Sequence, residues 1–547
     1  MKNRIPASII TALLLISVII QTHLSPVKEK NEKWQSKLIS IHNNGKILYE
    51  KDEYGFVIPD FSHSGYDGGN REMPDVPVIK IIQPQPGDNT AYIQQIIDSV
   101  GTLPLDEKGF RGAILLNAGI YDIYGTLYVK HDGIVLRGKG DDYDPTQNTI
   151  IRARGNTPKQ RDVIVLGNDS VNHWEMIKTG SKQNIITPKV NPGDFTFEVE
   201  DVRPYQVGDQ IMIYHPCTDK WLKSIDYGGV PAPFSGEEDE RWTENLLPII
   251  YNRYITQIDG NQITIDAPVF YTLNRTLSQS YVYKPDMTGT VYNIGLENVQ
   301  INIETAGKED ENHAWQCVRV QSAENGRIKN CTMLHFGQSG IITNFTSRFT
   351  IENCKAINPV SLIIGDRRYN FNTYIYSQQI LLKNCYAKNG RHHYVSNGTS
   401  TASGIVFLRC ISDASYNVNE GHRKWTSGML YDNLKEINIR PVTGWRKIVY
   451  HTQCVLGLYN RENIGTGHGW SAVQSVCWNC DVNKNYGKIV IQKPPTAQNY
   501  AIGCKAKEIT GKYTMSSTYA PGYIEGQNKV NLEPESLFEA QLRARKH

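Results

Sequence analysis

Five times between residues 330 and 480 a short apolar run closes on a polar residue and a cysteine: Asn330-Cys331, Asn353-Cys354, Asn384-Cys385, Arg409-Cys410 and Asn479-Cys480. The positions place successive cysteines 23, 31, 25 and 70 residues apart. A unit of about 20 to 30 residues made of short strands without a helix cannot bury its apolar face alone. It must stack on copies of itself, so the expected fold is all-β, a parallel β-solenoid whose inward positions form ladders of like side chains. The runs CVRVQSAENGRIKNC, GIITNFTSRFTIENC, YIYSQQILLKNC and GIVFLRC follow this rhythm. A β-sandwich or propeller would instead need hairpin turns, and this half of the chain has few.

The same repeat decides how the ten cysteines are read. In an exported protein they would suggest disulfides, but a cysteine at one fixed point of each unit is better explained as a buried stack of small thiols. Its preceding asparagine can hydrogen-bond along the stack. Cys477 and Cys480 form a C-x-x-C pair, yet odd spacing on a strand sends the two sulfurs to opposite faces, so a redox pair is not expected. Plentiful tyrosine (31) and glycine (45) agree with a turn-rich β protein.

The flanks divide the chain. Residues 1–24, with Lys2 and Arg4 before the apolar stretch Ala7 to Ile20, read as an export signal. The run is short for a membrane span, and an uncleaved anchor is the alternative. The mature protein is expected to be secreted or periplasmic, in the cell envelope of a Gram-negative-type bacterium. Residues 25–87 read as a spacer followed by a turn-rich segment (60 to 77) that wraps a surface. From 88 to 184 come a capping helix, AYIQQIIDSV, and the first coils. Between 185 and 285 the hairpin-like runs FTFEVEDV, QIMIYH and YITQIDGNQITIDAPV suggest an inserted β subdomain, and the acidic run Glu237 to Glu240 within it reads as a solvated loop. The main solenoid is assigned to 286–510. The tail 511–547 ends in an amphipathic helix, EPESLFEAQLRAR, expected to cover the open end of the stack.

DNTAYIQQIIDSV followed by GAILLNAGIYDIYGTLYVKHDGIVLRGKG resembles the opening of right-handed parallel β-helix proteins of the pectate-lyase-like superfamily, which includes many secreted polysaccharide lyases and hydrolases. The likeness is close over the cap and first coils, and in rhythm only after that. It implies the fold, with short capping helices, more strongly than an activity.

Two clusters carry the candidate chemistry: Arg391-His392-His393, and His422-Arg423-Lys424. Counted from the preceding cysteine they fall at a similar phase, so one coil period makes them neighbours, about 5 Å apart by strand spacing. His468, in GTGHGWS, is expected on the same edge. Glu420, Tyr394, Trp425 and Trp470 should surround the patch, and His313 shares its phase. Strand alternation would face His422 and Lys424 one way and Arg423 the other. Trp315, Trp425 and Trp470 are candidate sugar platforms.

Such a patch suits β-elimination on a uronate. Arg391, Arg423 and Lys424 can neutralise the sugar carboxylate. A neutral histidine, His392, His393 or His422, can take the C5 proton, and Tyr394 or another histidine can protonate the leaving O4. With 21% charged residues and a net charge of +3, nothing points to a nucleic-acid binder. The expected partner is an anionic polysaccharide, met by a monomer. Many lyases resembling this fold use calcium; here no tight acidic constellation stands out, and Asp366, Asp413 and Asp432 read as turn residues before ligands. The tryptophan-isoleucine-aspartate-histidine pattern of standard pectate lyases is missing, which leaves a glycosaminoglycan or similar hexuronate chain as suitable as pectate. A hydrolase like the polygalacturonases would need paired aspartates. Gly467-His468-Gly469 and Arg327-Ile328-Lys329 occur in the reverse of that family's order, with Asp141-Asp142 far upstream. A non-catalytic carbohydrate-binding solenoid would have aromatics without the His/Arg clusters.

Overall fold

The structure, a computed structural model, describes residues 32–546 apart from 43–44, 169–172, 231–240, 441, 444–448, 451–452 and 514–518. The expected export signal and the acidic run Glu237 to Glu240 lie outside the described residues. Among these residues no helix is long and apolar enough to cross a membrane.

The chain forms a parallel β-helix. One stack of eight parallel strands runs from Gly119–Ile123 to Lys435–Ile437. The other stack, of twenty-one strands, is continuous because long strands such as Gln316–Lys329 and Ser339–Glu352 bend from one wall into the next. The bends fall at Ser322 and Phe345, which have positive φ. The first strand of this stack, Val78–Ile82, precedes the capping helix Thr90–Gly101, whose Ile93, Ile97 and Val100 close the apolar core at that end. At the other end the pairing continues to Tyr523–Glu525.

The asparagine-cysteine pairs mark one corner of the coil. Asn330, Asn353, Asn384, Asn433 and Asn479 all have positive φ, a conformation asparagine tolerates better than most residues. Their amides hydrogen-bond from coil to coil: Asn330 Nδ2 to Asn298 Oδ1 (2.9 Å), Asn353 to Asn330 (3.3 Å), Asn384 to Asn353 (3.4 Å). The next residue turns inward. Nine cysteines of the described chain are free and buried, and the corner thiols donate to backbone carbonyls, as Cys385 Sγ does to Ile351 O and Lys383 O (both 3.5 Å). Cys477 and Cys480, expected on opposite faces, share the same core. The left-handed residue between them, Asn479 (φ 50), turns the corner and resets the alternation.

The insertion is a six-stranded antiparallel sheet within Gln183–Tyr283. It packs Ile213, Tyr251 and Phe270 in one apolar cluster with Val406, Leu430 and Val476 on the outside of the helix. The final helix, Leu537–Lys546, does not cover the open end as expected. It lies along the flank, where Asp432 accepts from Ser536 Oγ and Phe538 N (both 2.8 Å) and Arg409 pairs with Glu539 (2.9 Å). Its apolar face, Leu537, Phe538 and Ala540, joins the outward Leu408 and Val406, which would otherwise be exposed. Residues 60–77 also wrap this flank: Gly65 N bonds to Gln379 O and Tyr66 OH to Asn293 Oδ1.

Candidate active site

Three short strands on successive coils set the site: Tyr369–Thr373, His392–Ser396 and Asn419–Gly421. Tyr369 pairs with His392 and Phe371 with Tyr394, while the residues between them, Asn370 and His393, are skipped. The same skip occurs earlier, where Cys317 and Val318 both enter the core. The corner therefore breaks strict alternation at each strand start. The first residue faces out and the next two face in.

This divides the two histidines that sequence could not separate. His393 turns inward and uses both nitrogens, Nδ1 at 2.6 Å from Ser412 Oγ and Nε2 accepting from Gly390 N at 3.0 Å. Tyr394 also points inward, stacks on Phe371 (5.3 Å, 2°) and donates to Cys385 O. Neither reaches the cleft. His392 faces out, donates through Nδ1 to Val418 O (2.6 Å), and lies in ring contact with Tyr369 (5.6 Å) and His422 (4.7 Å). The expected neighbourhood of His392 and His422 is thus present, although by register it is Asn397 that His422 adjoins, since Ser396 pairs with Gly421.

Glu420 organises the centre. It is wholly buried and accepts from Tyr459 OH (2.6 Å), from His422 Nδ1 (2.9 Å) and from Arg461, whose Nη1 lies at 3.2 Å. Burial pushes its carboxyl up, and Arg461 opposes that shift. Arg461 Nη1 also donates to His422 O (2.7 Å) and approaches His422 Nδ1 (2.8 Å). With Arg461 satisfied by the carbonyl and by Glu420, we assign the proton of His422 to Nδ1. Its bare Nε2 then faces Tyr369 OH at 3.5 Å. Burial first, then Arg461 and its neighbouring histidines, hold His422 well below the ordinary imidazole range. Tyr369 is pushed up by burial, against Arg391. At neutral pH the pair is therefore a neutral imidazole and a protonated phenol.

Above them opens a cleft of about 700 Å³, lined by Tyr369, Tyr374, Arg391, His422, Arg423, Arg461 and His468, and continuing over Asn372, Asp366, Gln338 and Arg319. Arg423 lies over the Tyr374 ring and donates to its hydroxyl (2.9 Å). His468 packs its ring 5.0 Å from His422, and burial with Arg461 depresses it to about 2. His422 and Arg423 both line the cleft while Lys424 does not, contrary to the alternation expected. The strand ends at Gly421, and Lys424 and Trp425 have positive φ.

The remaining expected residues pack elsewhere. Trp425 is buried edge-on against Trp221, Trp242 and Tyr271 at the insertion. Trp470 is buried against Tyr519, and Trp315 is buried beside His313 under Arg367. His313 spends its ring nitrogens on the carbonyls of Ala314, Asp310 and Val360. None of the three tryptophans offers a face to the cleft. Tyr369, Tyr374, Tyr459 and Arg461 were not anticipated. Tyr369 could have been found by stepping one coil back from His392, whereas Arg461 lies within the 70-residue gap between Cys410 and Cys480, where the repeat cannot be counted.

Calcium does not fit. Among the described residues, the group of three that could hold a metal is His392, Glu420 and His422, which offers one carboxylate where calcium takes six to eight oxygens. Arg461 already places its charge against that carboxylate. Asp413 is engaged by Lys388 and Asn438, and Asp432 by the final helix.

No protein-family model matches the sequence, and no curated protein does. Solved structures do match: the tailspike protein gp49 from Pseudomonas phage LKA1 (13% identity, 76% of this chain and 57% of that one, TM-score 0.43), an alginate lyase from Paenibacillus sp. str. FPU-7 (8%, 83% and 100%, 0.38) and a polygalacturonase from Erwinia carotovora (10%, 86% and 100%, 0.36). The chain spans less than two thirds of the length of the gp49 tailspike and of Geobacillus virus E2 ORF18. The parallel β-helix expected from the opening coils is the fold observed.

Proposed function

We propose that this protein is a polysaccharide lyase that cleaves a uronate-containing chain by β-elimination outside the cytoplasm. The observation that carries the reading is the convergence of His422 Nε2 and Tyr369 OH on a cleft lined by Arg391, Arg423 and Arg461. The arginines neutralise the uronate carboxylate, so the charge that develops as C5 loses its proton is stabilised. His422 takes that proton at Nε2, while Glu420 holds its Nδ1–H and stabilises the imidazolium formed. The negative charge of a bound uronate raises the basicity of His422, opposing the depression that burial and the arginines impose. Tyr369, kept protonated, delivers its proton to the leaving O4. The C4–O4 bond breaks as the C4–C5 double bond forms, and the proton taken by His422 returns through solvent to the tyrosinate.

A hydrolytic reading is less well supported. Glycoside hydrolysis calls for two carboxyl groups flanking the bond, and Asp366 is the one carboxylate among the described lining residues. Incubation of the protein with a panel of uronate polysaccharides, followed by ultraviolet absorbance of the unsaturated product, tests the proposal. Absorbance rising together with new chain ends is the expected result. New reducing ends without it would overturn the lyase reading in favour of hydrolysis, and retained binding without either would mean a carbohydrate-binding module.

A further inference from the structure

The cleft is charged unevenly along its length. Its lining residues come from six successive coils, Arg319, Ile342, Asn372, Arg391, His422 and Arg461, and the strands of these coils pair each with the next. Five coil steps make a groove roughly 24 Å long, enough for several sugars in a row. At the end near His422, Arg391 and Arg423 have no carboxylate partner among the described residues, and the Arg461–Glu420 pair cancels itself. That end presents two unbalanced positive charges. At the other end Arg319 is held by Asp162 in a two-point ion pair (2.9 and 3.3 Å). The remaining groups in that half are the amides of Gln316, Gln338 and Asn372 and the exposed carboxylate of Asp366, which sits on the coil of Tyr369 next to the reacting pair and accepts from Gln338 Nε2 (2.9 Å). This end carries one unbalanced negative charge.

Amides with donors and acceptors suit the hydroxyl or acetamido groups of neutral sugars, whereas a second carboxylate beside Asp366 would be repelled at short range. Resting on the lyase reading, we infer that the substrate is a heteropolysaccharide in which the uronate at the cleavage point is flanked by neutral sugars, not a homopolymer of uronates. The arginine end takes the uronate. The amide end takes the neutral neighbours and rejects consecutive carboxylates.

The test compares two sets of unsulfated probes on the full chain: hyaluronan and heparosan, in which uronate alternates with N-acetylglucosamine, and polygalacturonate and polyguluronate, in which every sugar is charged. The alternating polymers should be turned over with a kcat/KM at least about tenfold higher. Asp366→Asn, a change at an exposed position, should narrow that ratio several-fold by improving the homopolymers. A ratio near one, or a ratio that Asp366→Asn leaves unchanged, would overturn the inference while leaving the lyase reading intact. If no probe gives unsaturated product, the lyase reading falls, and calorimetric titration with hexasaccharides of both sets decides the inference separately. A preference for the alternating hexasaccharides that depends on Asp366 supports it, and equal affinity overturns it.

Discussion

Glu420 shows how much one buried residue can govern. Wholly enclosed, it is tolerable as an anion only because Tyr459, His422 and Arg461 meet both of its oxygens. Glu420→Gln would leave the Arg461 guanidinium, itself only 4% exposed, as an uncompensated buried charge. A loss of about 3–5 kcal/mol in unfolding free energy is expected, read by urea denaturation, and a loss below about 1 kcal/mol would mean that Glu420 is already neutral. The two residues assigned to proton transfer should behave differently. Tyr369→Phe and His422→Gln should each lower kcat by about 10²- to 10⁴-fold on a confirmed substrate, with KM little changed for Tyr369→Phe because the ring and its contacts with His392 remain. Full activity in either variant would remove that residue from the chemistry.

The corner asparagines hold the coils in register. Asn353 is held at φ 53 and sits in the middle of the amide ladder, bonded to Asn330 and Asn384. Asn353→Ala loses both bonds and leaves a β-carbon in the left-handed region without the side-chain amide that helps asparagine tolerate it, costing up to about 1–2 kcal/mol for the conformation. Asn353→Gly loses the bonds but not the conformational fit. The alanine variant should therefore melt below the glycine variant in calorimetry, and the reverse order would show that the left-handed turn carries no penalty at this corner. The final helix works differently. It covers apolar outward residues on the flank instead of the end of the stack, because Asp432 captures its first turn.

For the molecule as a whole, buried ionisable groups set a pH window. His215 and His393 are held at about 3 and His468 at about 2, all by burial first, with His392 and His422 also well below the ordinary 6.5. Unfolded, these imidazoles take up protons that the fold refuses, so their contribution is present above about pH 6.5 and is lost as pH falls. Two carboxyls work in the opposite sense. Burial raises Asp432 to about 7 and Glu436 to about 8, so the fold keeps protons that the unfolded chain releases, and that contribution is lost as pH rises through about 7 to 8. Each net proton changes stability by up to about 1.4 kcal/mol per pH unit. Counting also the depressed His173 and His335 and the raised Asp162 and Glu420, seven imidazoles stand against four carboxyls, so the urea midpoint should climb from about pH 5 to a maximum near 6.5–7 and then decline. A flat profile across that range would contradict the burial of these groups.

The coil period, the thiol stack, the amide ladder and the adjacency of the two histidine clusters were all legible in the order of residues, because a solenoid repeats in sequence what it repeats in space. Facing direction was not. Whether His392 or His393 looks into the cleft depends on a skipped residue at the strand start, and whether Arg423 joins His422 depends on left-handed residues after Gly421. Trp425 and Trp470 were drawn to the site by proximity in the chain, yet the insertion and its neighbouring loops bury them. Arg461, which balances Glu420, falls in the long gap between Cys410 and Cys480 where the repeat could not be counted. Period is a local property that recurs along the chain, while the direction of a side chain at a corner is decided by backbone geometry and by what packs against it.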